Sequence, residues 1–251
     1  MRERDLVGRQ GLFVAEGEVV LRVLARSPLA RPQSLLLAEK RAAALTDVIE
    51  SLADETPVYV AGQAVMDAVV GFPIHRGILA LGRRTQEPTV AELVAGLPDE
   101  ALVLVACGIA NHDNMGGLFR NAAAFGADAV VLDADCCDPL YRKAIRVSVG
   151  AALVKPFARA STGEDLLRVL EAGGFELLAL SPGGDRTLAE TQRARRTAVL
   201  LGTEGPGLSK AVLERAKAVR IPMADGFDSL NVAVTAGVVL HHLAFTAGRK
   251  P

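Results

Sequence analysis

The sequence predicts an α/β protein in which a small α/β unit precedes a larger α/β domain built on a mostly parallel sheet. Three observations predict it. From Ala101 onward, short apolar runs rich in β-branched residues alternate with segments of helical period, as in strands covered by helices on both faces. Half of the 251 residues are hydrophobic, yet only 4% are aromatic and none is Trp, so an aliphatic core is ample. A polar, Pro-containing break at 83–88 divides the chain into two such stretches.

Residues 1–84 read as the small unit. Apolar residues lead through 12–17 into a helical pattern carrying Val19, Val20, Val23 and Leu24. Residues 35–37 form a buried strand, 43–52 a helix, 57–60 a strand and 64–70 a helix. Residues 71–73 end that helix, and 77–81 form the last strand. Residues 85–99 read as a linker holding a short helix at 91–95. In the larger domain, 100–251, strands are predicted at 102–106, 129–132, 176–180, 198–201 and 219–221. Helices are predicted at 117–125, 141–147, 163–172, 210–216 and 230–245. Ligands of such sheets bind outside the carboxyl ends of the strands.

Bulk charge excludes a globally basic protein: 28 basic and 29 acidic residues leave a net charge of −1, so an anionic partner must be met by a local patch. The three cysteines, Cys107, Cys136 and Cys137, have no zinc-type spacing and fit a reducing, cytoplasmic setting. The four histidines form no ligand set, so no metal is expected; His75 reads as structural and Cys136 and Cys137 as buried. The charged first residues predict no signal peptide. The most apolar window, 230–245, is short for a bilayer and reads as a core helix.

Three blocks carry chemistry. The first runs from Asn111 to Asp128. Gly116-Gly117 allows a close backbone approach, and Arg120, set among apolar neighbours, is expected near the interior. The second, Gly202-Thr203-Glu204-Gly205-Pro206-Gly207-Leu208, follows a late strand. A glycine-rich turn with a carboxylate suits a cationic or ribose-bearing ligand better than a bare phosphate. It is not the G-x-G loop of a dinucleotide fold, because Cys107-Gly108-Ile109-Ala110-Asn111 stands after the first strand instead. In the third, Asp225–Val232, Asp228 or Ser229 can cap a starting helix, which places Asn231 in its first turn at a mouth of partial positive charge.

In this order the blocks resemble the three motifs of the SpoU/TrmH family of RNA 2′-O-ribose methyltransferases, within the SPOUT superfamily. The matching residues are 114–122, 201–208, and Ile221-Pro222-Met223 with 229–233; residues 138–151 are also similar. Residues 13–17 and 75–80 resemble the family's L30e-like substrate-binding domain. The chain departs in having Met115-Gly116-Gly117, Asn121 and Ala233 where Val-Gly-Ala, Thr and Ser are common.

The resemblance implies a deep trefoil knot, a homodimer with an active site completed across it, and S-adenosylmethionine held in the knot. It implies cofactor contacts by Gly202, Thr203, Ile221, Met223, Ser229 and Leu230. Arg120 would meet the 2′-hydroxyl, Asn231 would orient Arg120 or the ribose, and Glu204 would fix the local geometry. The RNA-facing set would be Asn114, Arg142, Lys143 and Arg146, with Arg9 and Arg22 on the first domain. The substrate expected is structured RNA, ribosomal more than transfer RNA. The alternative is a non-catalytic RNA-binding or ribosome-assembly protein on the same fold.

Overall fold

The computed structural model describes residues 7, 11–71, 75–203, 205 and 207–246. Its contacts divide the chain into two units: residues 1–86 with 138–154, and residues 87–137 with 155–251.

The first unit is built on a four-stranded sheet of order β1-β4-β2-β3, from β1 (Leu12–Glu16), β2 (Ala30–Ala38), β3 (Val58–Ala61) and β4 (Ile78–Arg84). β4 runs antiparallel to both β1 and β2, and β3 is parallel to β2. Helix α1 (Glu18–Ala25) buries Val20, Leu21 and Leu24. A Cβ at Gly82 would lie 2.5 Å from the Phe13 ring, so the sheet closes over that ring only because residue 82 lacks a side chain. The predicted helix at 43–52 is instead α2 (Glu39–Ala42), a 3₁₀ turn (Ala43–Leu45) and α3 (Thr46–Glu50). Helix α4 spans Gln63–Val70.

Residues 138–154, read from sequence as part of the larger domain, belong to this first unit. Their helix α7 (Arg142–Val147; α5 and α6 are introduced below) brings Arg142 and Arg146 to the buried carboxylate of Glu16, at 3.6 and 3.9 Å. Ser27 Oγ donates to the Leu153 carbonyl at 2.5 Å. A Cβ at Gly150 would stand 3.0 Å from Val23. None of these tertiary contacts leaves a trace in local periodicity.

The second unit carries a seven-stranded sheet of order β7-β6-β5-β10-β8-β11-β9, and its strand pairs are parallel. The strands are β5 (Ala101–Ala106), β6 (Ala129–Leu132), β7 (Phe157–Arg159), β8 (Glu176–Leu180), β9 (Arg186–Thr187), β10 (Arg196–Leu201) and β11 (Lys217–Arg220). Every residue of β5 and β6 is buried, as a sheet covered on both faces requires. On one face, α5 (Val90–Ala95) and α8 (Gly163–Ala172) bury Val90, Leu93, Val94, Leu166, Leu167 and Leu170 in one cluster with Val103, Val105, Val131 and Leu200. Part of the predicted linker is therefore a core helix, started by a reciprocal cap between Thr89 and Glu92. Helices α6 (His112–Ala124), α9 (Lys210–Leu213) and α10 (Val232–His241) complete the unit, α10 continuing into a wider π-type turn, His242–Thr246.

Helices α6 and α10 pack through small residues. A Cβ on Gly117 would lie 2.5 Å from Ala233 Cβ, and one on Gly237 would touch the Asn121 amide at 3.4 Å. Asn121 Nδ2 donates to the Ala233 carbonyl at 2.6 Å. Among the described residues, no helix is long and apolar enough to cross a membrane, and no cluster of three or more His, Cys, Asp or Glu could hold a metal.

Candidate active site

The carboxyl ends of β8, β10 and β11 and the start of α10 enclose a cavity of about 490 Å³, within the usual range of small-molecule sites. All six residues expected at the cofactor, Gly202, Thr203, Ile221, Met223, Ser229 and Leu230, line it, and so does Asn231. Glu204 and Arg9 lie outside the described residues.

The wall after β10 is a folded-back loop. Gly207 N donates to the Thr203 carbonyl at 3.1 Å. Gly205 and Gly207 adopt φ of 88° and 68°, values that favour glycine. At Gly202 a Cβ would stand 2.4 Å from the Gly207 carbonyl carbon and 2.5 Å from the Leu208 nitrogen. That space is open only because residue 202 is glycine, so the cradle is made of backbone. The opposite wall is fastened by Arg220 Nη1, which donates to the Gly184 carbonyl at 2.6 Å, and by Ser181 N, which donates to the Val219 carbonyl at 3.0 Å.

The third block differs from the sequence reading. Asn231, not Asp228 or Ser229, caps α10: its Oδ1 accepts from Ala233 N at 2.9 Å and Val234 N at 3.3 Å. Asn ranks with Asp and Ser as a cap, and the helix begins only at Val232. The amide nitrogen of Asn231 donates to Asn114 Oδ1 at 2.9 Å. This ties the first block to the third. Asn114 is only 8% exposed, so the side chain expected at RNA instead stands behind Asn231.

The first block differs too. Asn111 is the cap of α6, accepting from Asp113 N and Asn114 N, so the expected loop is the helix's first turns and Gly116 and Gly117 lie inside it. Arg120 is exposed, not interior: Met115, Leu118, Phe119 and Ala122 take the buried face. Six residues of helix put Arg120 about 9 Å along the axis from Asn114. Arg120 makes no hydrogen bond or ion pair among the described residues, so within the chain Asn231 is held by Asn114 rather than by Arg120.

Of the basic residues expected at RNA, Arg142 and Arg146 neighbour Glu16. Arg22 is tied by Asp47 at 2.6 Å and Glu18 at 3.0 Å, so two carboxylates already engage it. Lys143 is exposed, and so is His75, read from sequence as structural.

A network that sequence reading missed fixes the turn before α6. Asp133 Oδ2 accepts from Gly108 N at 2.8 Å, and Arg159 donates to the carbonyls of Asp133, Cys136 and Cys137. Burial and the nearby Asp133 push the Cys107 thiol up to about 12 and raise Cys136 further. Cys137 is half-buried rather than buried.

Residues 101–241 match the model of the SpoU rRNA methylase family. The chain is 42% identical, over 245 residues, to an uncharacterized tRNA/rRNA methyltransferase of Mycobacterium bovis, covering 96% of this chain and 83% of that protein. It is 28% identical over 223 residues to the 23S rRNA (guanosine-2′-O-)-methyltransferase RlmB of Escherichia coli, covering 87% and 91%. The crystal structure of the SpoU methyltransferase AviRb from Streptomyces viridochromogenes, in complex with AdoMet, shares the fold. Its TM-score is 0.82 at 20% identity, over 94% of this chain and 90% of that one. A crystal structure of an RNA 2′-O ribose methyltransferase has a TM-score of 0.79 at 28% identity, over 95% and 90%. The matched segment holds every element that lines the cavity, and the chain belongs to the SpoU family of rRNA methylases.

Proposed function

We propose that the protein methylates a ribose 2′-hydroxyl of structured RNA, ribosomal rather than transfer RNA, with S-adenosylmethionine as donor. The observation that carries this reading is the glycine-walled cavity at the strand ends, lined by all six residues the family motifs single out for the cofactor. RlmB, at 28% identity, supports ribosomal RNA as the substrate. A non-catalytic RNA-binding protein has no need of such a cavity.

The residues fit the cofactor. Backbone at Gly202 and Thr203, the side chains of Ile221 and Met223, and Leu230 at the mouth of α10 would hold it, with Ser229 beside them. S-adenosylmethionine, when bound, supplies the methyl group from a sulfonium whose charge disperses on transfer, so no oxyanion hole is needed and alignment carries much of the rate. Arg120 stays protonated in proteins. Its role in this reading is to stabilise charge developing on the 2′-oxygen and so ease loss of the proton. Asn231, fixed by Asn114 and by its cap bonds, orients the ribose. Glu204 fixes the geometry of the second block. Lys143, with Arg9, supplies phosphate contacts of salt-dependent strength, and Arg142 and Arg146 add to them in competition with Glu16, while Arg22 stays with Asp47 and Glu18.

The finer architecture in this proposal is an L30e-like first domain, formed by residues 1–86 with 138–154, a deep trefoil knot in the second unit, a homodimer, and a cytoplasmic location. The exposed apolar side chains of Val234, Val238 and Phe245 on α10 and its extension favour self-association there. Arg120→Ala tests the assignment. It is expected to abolish methyl transfer while calorimetric S-adenosylmethionine binding persists; near-normal turnover would sink it.

A further inference from the structure

Phe227 is 76% exposed, a large apolar ring held in water on the loop between β11 and α10. It is presented by a tight turn: Phe227 N donates to the Ala224 carbonyl at 3.1 Å, and Gly226 takes φ 85°. Met223 on one side of that turn and Asp228 on the other both line the cavity. Since consecutive Cα atoms are about 3.8 Å apart, the ring stands at the rim, one residue from the wall. Its flanks are acidic: Asp225 and Asp228 are both exposed. Two carboxylates repel phosphate, so an RNA that reaches this rim meets the loop with a base and not with its backbone. Carboxylates also accept from the N–H groups on a base edge, and an aromatic face is what splayed bases stack on. A second copy of the chain fits less well here. Interface cores are depleted in charged residues, and Val234 and Val238 on α10, with Phe245 on its extension, offer a separate apolar face.

We infer that Phe227 is the platform on which a nucleobase at the acceptor ribose stacks, which makes it a residue that positions the target nucleotide at the cavity. This rests on the proposed function. The chain contains no Trp, so Phe227→Trp introduces a single indole at the rim. The probe is 23S rRNA transcribed in vitro, added to the protein with S-adenosylmethionine, and RNA retention on filters is read in parallel. Indole fluorescence is expected to be quenched in step with retention. Phe227→Ala is expected to raise KM for that RNA by about tenfold, the scale of one base–aromatic stack, with cofactor affinity and molecular mass unchanged. Phe227→Tyr is expected to restore KM. Retention without quenching, or an unchanged KM in Phe227→Ala, would overturn the inference. A fall in mass in Phe227→Ala would assign the ring to a contact between copies and overturn it equally. A wild-type protein that neither retains nor methylates the RNA would overturn the proposed function, and this inference with it; that failure shows in the wild-type arm before any variant is read.

Discussion

Gly202→Ala is the sharpest test of the backbone cradle. The added Cβ would lie 2.4 Å from the Gly207 carbonyl carbon, 2.5 Å from Leu208 N and 2.6 Å from the Gly207 oxygen. Carbon atoms pack at about 3.5–4 Å, so the 207–208 backbone must retreat by roughly 1 Å. It cannot do so freely, because Leu208 is buried in the same cluster as Val103, Leu200 and Val212. Overpacking of this kind costs about 1–3 kcal/mol, which in a chain of this size lowers Tm by roughly 2–12 °C. The displaced strand of the loop is also a cavity wall, so S-adenosylmethionine affinity should fall by at least about tenfold, equivalent to about 1.4 kcal/mol. Differential scanning fluorimetry and isothermal titration calorimetry read the two effects. Gly183→Ala is the control. Nothing lies within 4 Å of its added Cβ and its φ is not positive, so a change within about 0.5 kcal/mol is expected. Wild-type affinity and Tm in Gly202→Ala would refute the reasoning, because the clash leaves no other route.

Other outcomes follow from the same geometry. Gly117→Ala should destabilise the protein, since its Cβ meets Ala233 Cβ at 2.5 Å, and adding Ala233→Gly should recover most of the loss; additive losses in a double-mutant cycle would contradict the contact. Asn231→Ala should cost about 1 kcal/mol as a lost cap, whereas Asn231→Asp keeps the acceptor for Ala233 N and Val234 N but loses the donor to Asn114. Equal melting temperatures for the two variants would count against the cap. Asp165 is held at about 2 by Arg168, with Ser161 and Thr162, and Thr89 and Thr187 hold Glu92 and Glu190 below the usual carboxylate range. For Asp165 the depressed folded-state value means that its stability is present above the unfolded value near 4 and is lost as pH falls from about 4 to about 2, and the two glutamates act in the same direction. Acid titration monitored by circular dichroism should show Asp165→Asn losing less over that window than wild type. Cys107, with its thiol pushed up to about 12, should resist iodoacetamide in the native protein at pH 8; rapid modification there would contradict its burial.

The strand-helix alternation was legible because strands buried on both faces must be apolar throughout, and the predicted 129–132 and 176–180 match β6 and β8. β7 and β9 escaped because three and two residues are too short to show a period. The start of α6 was misplaced because Gly116 and Gly117 suggest a loop. In the folded chain Gly117 is the close contact that lets α10 approach, and Asn111 followed by Asp113 was the overlooked cap signal. Arg120 was misplaced because its apolar sequence neighbours suggest an interior, whereas on a helix Leu118, Phe119 and Ala122 take the buried face and leave residue 120 on the exposed flank. The cavity-lining residues were legible only through the resemblance of the three blocks, in order, to the family's motifs; each block by itself reads as an ordinary glycine-rich turn or helix cap. The Asn114–Asn231 bond and the Asp133–Arg159 network join positions 117 and 26 residues apart, and no local pattern encodes such pairings.

The most direct measurement of the central claim uses methyl-tritiated S-adenosylmethionine and in vitro transcribed ribosomal RNA, followed by complete alkaline hydrolysis. A 2′-O-methyl group blocks the hydroxyl that attacks the neighbouring phosphate, so methylated positions survive as dinucleotides. The account predicts label in alkali-resistant dinucleotides for the wild-type protein and none for Arg120→Ala. Label released entirely as mononucleotides would place the methyl group on a base and contradict it.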